Sequence, residues 1–188
     1  MSVMNGFRTE LVDRILGING HLIIYSKNDR TIPNYTKIIN KILDTPNVVA
    51  VTAHLEGQAL AKNKNSISGV IIRGSKWSDL AAKKILWKSL NQSTISNFKD
   101  KQNIIMGYRL GQKLNLKVGD YISLISPNGM ETALGILPVN QNFKIGGFFD
   151  MGMYEYDNNF IFIPWKKAEL FWIFNLQKHF WTRKWRLS

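Results

Sequence analysis

The sequence predicts an α+β fold, and three observations support this prediction. A strand, a helix and two further strands follow one another within residues 19–74, which is half of a split βαβ arrangement of the ferredoxin-like type. Residues 75–164 hold mostly strand patterns with short helices between them. The 188 residues are 45% apolar and 20% charged, a composition that can bury a core. We therefore predict a partial ferredoxin-like subdomain and a β-rich subdomain.

The first subdomain follows an amphipathic helix at residues 3–18, where apolar residues recur at a spacing of four from Phe7 to Ile15. Gly17 and Gly20 are expected to end that helix. A strand at 21–25 is predicted next. A helix follows, which Thr31-Ile-Pro33 opens and Pro46 ends, and its buried face is Ile38, Ile39, Ile42 and Leu43. Strands 48–62 and 66–74 then form a hairpin around a turn at 63–65.

The β-rich part is centred on the stretch from Asn103 to Pro127. An apolar strand at 104–106 precedes a short helix, because Leu110 and Leu114 have helical spacing. The next elements are a Val118-Gly-Asp120 turn and a strand at 121–126 that Pro127 is expected to stop. The flanking predictions are helical pieces from Trp77 to Leu86, a loop from Asn91 to Lys101, and a second hairpin that pairs 144–150 with 158–163 around Tyr154 to Asp157.

The connection at residues 126–143 is unusual because it is rich in apolar residues, where solvent would favour polar ones. Exposed apolar surface on a projecting loop is typical of a partner-binding site. The alternative is a hairpin that folds back onto the domain and buries those side chains. The candidate partner-binding residues are Met130, Glu131, Thr132, Ala133, Leu134, Gly135, Ile136, Leu137 and Pro138.

Charge is unevenly distributed along the chain, which has a net charge of +12. Residues 60–120 carry 12 basic and three acidic side chains, whereas residues 121–164 carry one basic and four acidic ones. The block at 60–120 therefore leaves an alternative function open, that of a basic soluble domain binding nucleic acid or an anionic membrane surface. Such binding would weaken steeply with salt. The other explanation of the block is a bias in overall composition.

Catalysis has little support in the sequence. Cysteine is absent, and His21, His54 and His179 lie far apart with no metal-ligand spacing. The carboxylates Asp29 with Asp44, or Glu155 with Asp157, could pair as acid and base, but nothing in the sequence places them in a cleft. No nucleotide-binding loop ends in Lys-Ser/Thr. We expect no catalytic residue, no metal and no cofactor.

Three stretches carry a resemblance to a known family: Met1-Ser-Val-Met-Asn-Gly-Phe7, the Leu-spaced helix with its Val118-Gly-Asp120 turn, and Phe148 to Pro164 with Tyr154-Glu-Tyr-Asp157. In this order they resemble the permease subunits of lipoprotein-releasing ABC transporters of the LolC/LolE type, which have a MacB-like periplasmic core domain. The resemblance spans residues 1–170. It implies that residues 1–18 extend a first membrane helix, and that 75–164 form an inserted subdomain.

The resemblance also implies a function at the periplasmic face of the inner membrane. A separate ATPase subunit and a second permease copy would be partners through membrane helices, and a triacylated lipoprotein would be handed to a periplasmic carrier. The hairpin at residues 128–140 would be the hook that grips this carrier. Neither nucleic acid nor enzymatic activity is implied.

Residues 165–188 depart from the family pattern and form an aromatic and basic tail, with four of the six tryptophans. One hypothesis is a frameshift near residue 171. The other is an interfacial helix with an apolar stripe of Leu170, Phe174, Trp181 and Trp185. The chain also lacks a run of about 18 apolar residues and a signal peptide. We therefore expect a truncated copy, and whether it is active stays open.

Overall fold

A computed structural model describes residues 2–24, 35–64, 66–100, 103–132, 135–173 and 182–187. The helices are α1 (Ser2–Asn19), α2 (Tyr35–Leu43), α3 (Trp77–Ala81), α4 (Lys84–Lys88), α5 (Gln92–Lys99), α6 (Tyr108–Lys113), α7 (Tyr154–Asn159) and α8 (Trp165–Ile173). The strands are β1 (Leu22–Ile24), β2 (Val51–Asn63), β3 (Ser66–Ser75), β4 (Ile104–Gly107), β5 (Tyr121–Thr132), β6 (Gly135–Phe149), β7 (Phe160–Pro164) and β8 (Thr182–Leu187).

Six strands form a closed ring in the order β2-β3-β7-β4-β6-β5, in which β5 returns to pair with β2. The β3–β7 and β4–β6 pairs are parallel, and the other four pairs are antiparallel. Alternate residues of these strands point into the ring and are fully buried, including Leu124, Ile145 and Ile161. Helix α6 contributes Leu110 to the same core, and α8 contributes Phe171.

Two further strands extend β2 outside the ring. Strand β8 pairs antiparallel with the first half of β2, from Val51 to Glu56, and β1 pairs antiparallel with β8. Strands β1 and β2 are therefore parallel to each other with β8 between them. Helix α2 lies between β1 and β2 in the sequence, and its Ile38 and Ile39 pack against the main core, whereas Leu43 is exposed.

A second core lies outside the ring, under the helices. Ile18 of α1, Leu86 of α4 and Phe98 of α5 are buried there against Phe149 and Phe162 of the ring. Phe149 and Phe162 meet edge to face, with ring centroids 5.3 Å apart. These helices therefore cover the outer face of the sheet around β4, β6 and β7, and α1 is buried there at Ile18, in its last turn.

The predicted helix at 3–18 and the β2–β3 hairpin are both present. Gly17 lies inside α1, packed against Ile85, and Gly20, with φ of 67°, follows the helix end. The hairpin pairs Asn63 with Ser66, and Lys64 has φ of 47°, as a tight reversal requires. The expected apolar face of α1 is exposed along its middle, where Leu11 and Ile15 are 43% and 40% accessible.

The prediction of a loop at residues 91–101 is wrong over most of its length. Residues 92–99 form α5, and the side chain of Asn91 accepts a hydrogen bond from the Thr94 backbone N–H at 2.8 Å. Asn is a favoured N-cap because its oxygen satisfies an otherwise unpaired backbone donor. A cluster of Asn, Gln, Ser and Thr therefore began a helix here instead of a loop.

The predicted second hairpin is also wrong. Strand β6 does not pair with β7 within the part of the chain that the structure describes, because β4 lies between them, parallel to β6 and antiparallel to β7. Residues 154–159 form α7. The four residues of β4 are all buried, so this short apolar strand is stabilised by pairing on both edges. The prediction paired these two strands because they are close to each other in the sequence.

The predicted interfacial helix does not extend over the second described part of the tail, residues 182–187. Residues 165–173 are helical as α8, but Trp185 lies in β8 opposite Ala53 of β2. Leu170 of the predicted stripe is 50% accessible, whereas its neighbours Phe171 and Trp172 are buried in the main core. Phe174 and Trp181 lie outside the described residues.

Candidate functional site

The candidate site is the outer part of the β5–β6 hairpin. The base of this hairpin belongs to the ring, where β5 pairs with β6 from Tyr121 to Ser126 and with β2 through residues 123–125. Side chains there alternate between buried Ile122 and Leu124 and more exposed neighbours. The base is thus held by strands on both sides and by the core beneath it.

A bulge separates the base of the hairpin from its tip. Ser126 is opposite Val139, and the next pair is Met130 with Leu137. Three residues of β5, at 127–129, therefore stand opposite the single residue Pro138 of β6. Extra residues in one strand bend the ribbon and increase its twist, and proline cannot donate a ladder hydrogen bond. The expectation that Pro127 stops the strand is wrong, because the strand resumes beyond this bulge.

The tip is a two-stranded ribbon made of the predicted site residues. Glu131 is opposite Ile136, and Thr132 is opposite Gly135. Beyond Ile125, β5 pairs only with β6 among the described residues. Pro138 is exposed. Ala133 and Leu134 lie outside the described residues, and the other tip residues are placed by their backbone pairing. We define the hairpin tip as residues 127–138.

The sequence did not predict the bulge, although it contained a signal for it. Pro127-Asn-Gly129 carries the residues that turns and bulges favour, and Pro138 follows nine residues later. We interpreted the whole stretch as a connection because the two prolines interrupted both strand patterns. In the structure, both prolines lie at the bulge of one hairpin, beyond the part of β5 that pairs with β2. Neither proline therefore removes a backbone hydrogen bond within the ring.

Asp157 is a structural residue and does not form an acid–base pair with Glu155. Its carboxylate is fully buried and accepts hydrogen bonds from the backbone N–H groups of Met151 (2.8 Å) and Met153 (3.0 Å). Burial raises the pKa of Asp157, and these backbone donors oppose that rise. Glu155 is exposed. The carboxylate therefore organises the turn between β6 and α7.

The histidines do not form a reactive cluster in the described structure. His54 is buried in β2 beside Glu56, with 3.9 Å between His54 Nε2 and Glu56 Oε2, while His21 is exposed and His179 lies outside the described residues. Arg73 donates from Nε and Nη2 to Glu56 at 2.8 and 2.6 Å, which makes a cross-strand ion pair. Among the described residues, no group of three or more potential ligands could hold a metal ion.

An open groove of about 450 Å³ lies along the β2–β3 ladder. Its lining is mainly apolar and includes Leu60, Gly69 and Ile71, with Gln58 and Asn159 as polar members. Leu60 pairs with Gly69, and no atom lies within 4 Å of where a Gly69 side chain would begin. The missing side chain keeps the groove open. Sequence analysis did not predict this groove.

The chain is similar to known proteins along almost its whole length. Residues 1–185 match the model of the MacB-like periplasmic core domain. The chain belongs to this family. The resemblance seen in the sequence is therefore confirmed, and the match extends beyond residue 170, where that resemblance ended. The family identifies the chain as the periplasmic domain of an ABC transporter permease.

The relatives include proteins of lipoprotein-releasing systems. The chain is 28% identical over 163 residues to the lipoprotein-releasing system transmembrane protein LolC of Neisseria meningitidis, covering 85% of this chain and 38% of the relative. It is 23% identical over 128 residues to LolE of Haemophilus influenzae, covering 66% of this chain and 31% of that protein. The chain thus spans less than two-fifths of the length of these relatives. Neither relative is named as an enzyme.

A solved structure shows the same fold. The extracellular domain of the noncanonic ABC-type transporter YknZ from Gram-positive bacteria is 12% identical, with a TM-score of 0.52 over 88% of this chain and 82% of that domain. Within the described residues, none of the helices has the length and apolar character needed to cross a membrane.

Proposed function

We propose that this chain is the periplasmic domain of a lipoprotein-releasing permease and that its hairpin tip docks the periplasmic lipoprotein carrier. The observation that carries the proposal is the two-stranded tip, in which residues 130–132 pair with 135–137 beyond the point where β5 leaves β2. The names of the LolC and LolE relatives support lipoprotein release as the process.

The chemistry of the tip favours a protein partner. Five of its twelve residues are apolar and non-proline, namely Met130, Ala133, Leu134, Ile136 and Leu137. A two-stranded ribbon cannot bury apolar side chains on both of its faces by itself, and an isolated hairpin has marginal stability. Methionine and leucine also adapt well to the surface of a partner. Binding a carrier would cover these residues and stabilise the ribbon.

The tip also offers backbone groups for pairing. Each strand of a two-stranded ribbon has one edge without a neighbour, and such an edge can add a strand from another chain. Pro127 and Pro138 lack backbone donors, so strand addition is limited to the residues beyond them. A carrier strand could therefore pair with 130–132 or 135–137.

The remaining parts of the proposal concern the whole transporter. An ATPase subunit would supply energy, and a second permease copy would complete the assembly. Both would make their contacts through membrane segments. The apolar groove beside Leu60 and Gly69 would form part of the wall along which the lipoprotein passes. The domain itself would bind and position, with no cofactor and no chemical step.

We also infer a ferredoxin-like half within residues 19–74. Its support is the parallel arrangement of β1 and β2, joined through α2, with β8 between them. That arrangement is what a split βαβ unit requires. The inserted subdomain would then be 75–164, which shares β2 and β3 of the first part in forming the ring.

The proposal is tested by measuring the affinity of this chain for the lipoprotein carrier by calorimetry. We expect Ile136→Asp, which places a charge on the tip, to weaken binding by about 2 kcal/mol or more, as for a central interface residue. The matched control is Ile67→Asp. Ile67 is 57% exposed near the β2–β3 turn, at the opposite end of the ring from the tip.

Ile67→Asp should bind the carrier like the unmodified chain. Equal loss of binding in both variants would contradict docking by the tip, and carrier binding that neither variant changes would do so as well.

A further inference from the structure

The end of the ring opposite the hairpin tip carries a concentration of lysines. Strands β2, β4 and β6 finish at this end, and β3, β5 and β7 begin there. We call it the basic end. It comprises the end of β2 with the β2–β3 turn, the end of α6 with the α6–β5 loop, and the part of β6 that pairs with the start of β5. Its lysines are all exposed: Lys62, Lys64, Lys113, Lys117 and Lys144.

Specific contacts bring these lysines together from distant parts of the sequence. The Asn63 side chain donates to the Leu114 carbonyl at 2.7 Å, and Lys113 Nζ donates to Ser68 Oγ at 3.1 Å. These bonds join the β2–β3 turn to α6. On the adjacent strands, Lys62 is opposite Ser123 of β5, and Lys144 is opposite Tyr121. The five ammonium groups therefore surround one end of a single closed sheet.

Positive charge exceeds negative charge at this end of the ring. Asp120 of the α6–β5 loop accepts the Lys117 backbone N–H at 2.8 Å, and the exposed Asp150 and Glu155 lie in the connection from β6 to β7 at the same end. None of the five lysines forms an ion pair with any residue that the structure describes. Like charges held close together repel one another, so this arrangement lowers stability unless an anionic partner is present.

Exposed apolar side chains lie among the lysines. Ile67 is 57% accessible and is opposite Lys62, Val118 is 55% accessible, and Tyr121 is 64% accessible. Basic residues interleaved with aliphatic and aromatic ones suit the headgroup region of a bilayer, where tyrosine is enriched and lysine binds anionic lipids. Lysine acts as a single point charge on a long side chain, which suits many laterally mobile phosphates better than one fixed carboxylate pattern.

We propose that the basic end docks on the anionic phospholipid surface of a bilayer, with the hairpin tip directed away from it. This inference rests on the proposed function for placing the domain beside a membrane and on the lysine cluster for its chemistry. It goes beyond carrier docking, because it assigns a second surface and a lipid partner.

The test is co-sedimentation of the chain with vesicles of phosphatidylcholine alone and with vesicles containing an equal part of phosphatidylglycerol. We expect binding to the anionic vesicles only, and binding that weakens as salt is raised. A lysine near an anionic surface contributes about fivefold in partitioning. The double variant Lys62→Gln, Lys117→Gln should therefore bind at least about tenfold more weakly.

The charge-matched control is Lys37→Gln with Lys41→Gln, on the exposed side of α2. It should bind vesicles like the unmodified chain, and circular dichroism should show that both double variants fold. Equal loss in the control, equal binding to both vesicle types, or displacement of the chain from vesicles by single-stranded RNA would each overturn the proposal. Carrier binding should be unchanged in Lys62→Gln, Lys117→Gln, and vesicle binding should be unchanged in Ile136→Asp, so failures of the two proposals are distinguishable.

Discussion

The base and the tip of the β5–β6 hairpin are parts of one pair of strands in opposite physical situations. In the base, β2 and β4 flank the pair, and Ile122 and Phe143 are buried beneath it. In the tip, only the two strands of the hairpin pair with each other in the described structure. The bulge at 127–129 marks the change between these situations.

This difference shows how one hairpin can combine stability with partner binding. The base is rigid because the core of the same chain stabilises its apolar residues. In the proposed complex, the carrier would stabilise the apolar residues of the tip. Local stability that differs along one hairpin is typical of binding elements.

The largest expected effect comes from truncating matched isoleucines in the two regions. Ile122→Ala in the base should lower the free energy of unfolding by about 3 kcal/mol, because it leaves a cavity in the ring. Ile136→Ala in the tip should lower it by less than about 1 kcal/mol. Urea denaturation of both variants measures the contrast. Equal losses would mean that the tip is folded back and buried, which was the alternative at the sequence level.

The next prediction concerns how tightly the ring packs around β4. A side chain at Gly107 would begin 2.1 Å from the backbone oxygen of Asp157, and neither backbone can move away without disturbing the turn at 150–153. Gly107→Ala should therefore destabilise the chain by about 2 kcal/mol, as overpacking does. Gly69→Ala, where no atom lies within 4 Å, is the control and should change stability by less than about 0.5 kcal/mol. Similar thermal midpoints for the two variants would contradict the close approach.

Elements governed by local pattern were predictable from the sequence. The helix at 3–18 followed from periodicity, and the β2–β3 hairpin followed from two strand patterns separated by the Asn-Lys-Asn turn at 63–65. The strand, helix, turn and strand between Ile104 and Tyr121 are also present. Each of these elements is marked by residue spacing or turn residues within its own stretch of sequence. The family was recognisable for a related reason, because its motifs sit in these local elements.

Elements governed by long-range pairing were not predictable. Strand β4 separates β6 from β7, and β5 closes the ring on β2 across about sixty residues, a register that no local pattern encodes. The charge block at 60–120 was visible, but the addition of Lys144 to the same surface depends on its pairing with Tyr121. The candidate residues of the tip stay a prediction as a partner-binding site, and the bulge beside them was missed because proline was interpreted only as a strand terminator.

The smallest expected effect is a change in how stability depends on pH. Burial raises the pKa of Asp157 above its ordinary value of 3.8, so protonation favours the folded state and this contribution is lost as pH rises through the raised pKa. Asp157→Asn cannot ionise and should show a flatter decline in unfolding free energy from pH 3.8 upward. The comparison uses slopes, because the amide also loses one backbone hydrogen bond at every pH. Parallel profiles would show that Asp157 is not held in the buried position described.

The central claim is that the tip, and not the base, contacts the lipoprotein carrier. The most direct measurement places a photo-crosslinking residue in turn at Leu137 in the tip and at Asn142 in the base, and mixes each protein with the carrier. Asn142 is exposed, so the probe is accessible at the base as well. We predict a crosslink to the carrier from position 137 and none from position 142. Crosslinks from the base alone, or from neither position while the carrier still binds, would contradict the account.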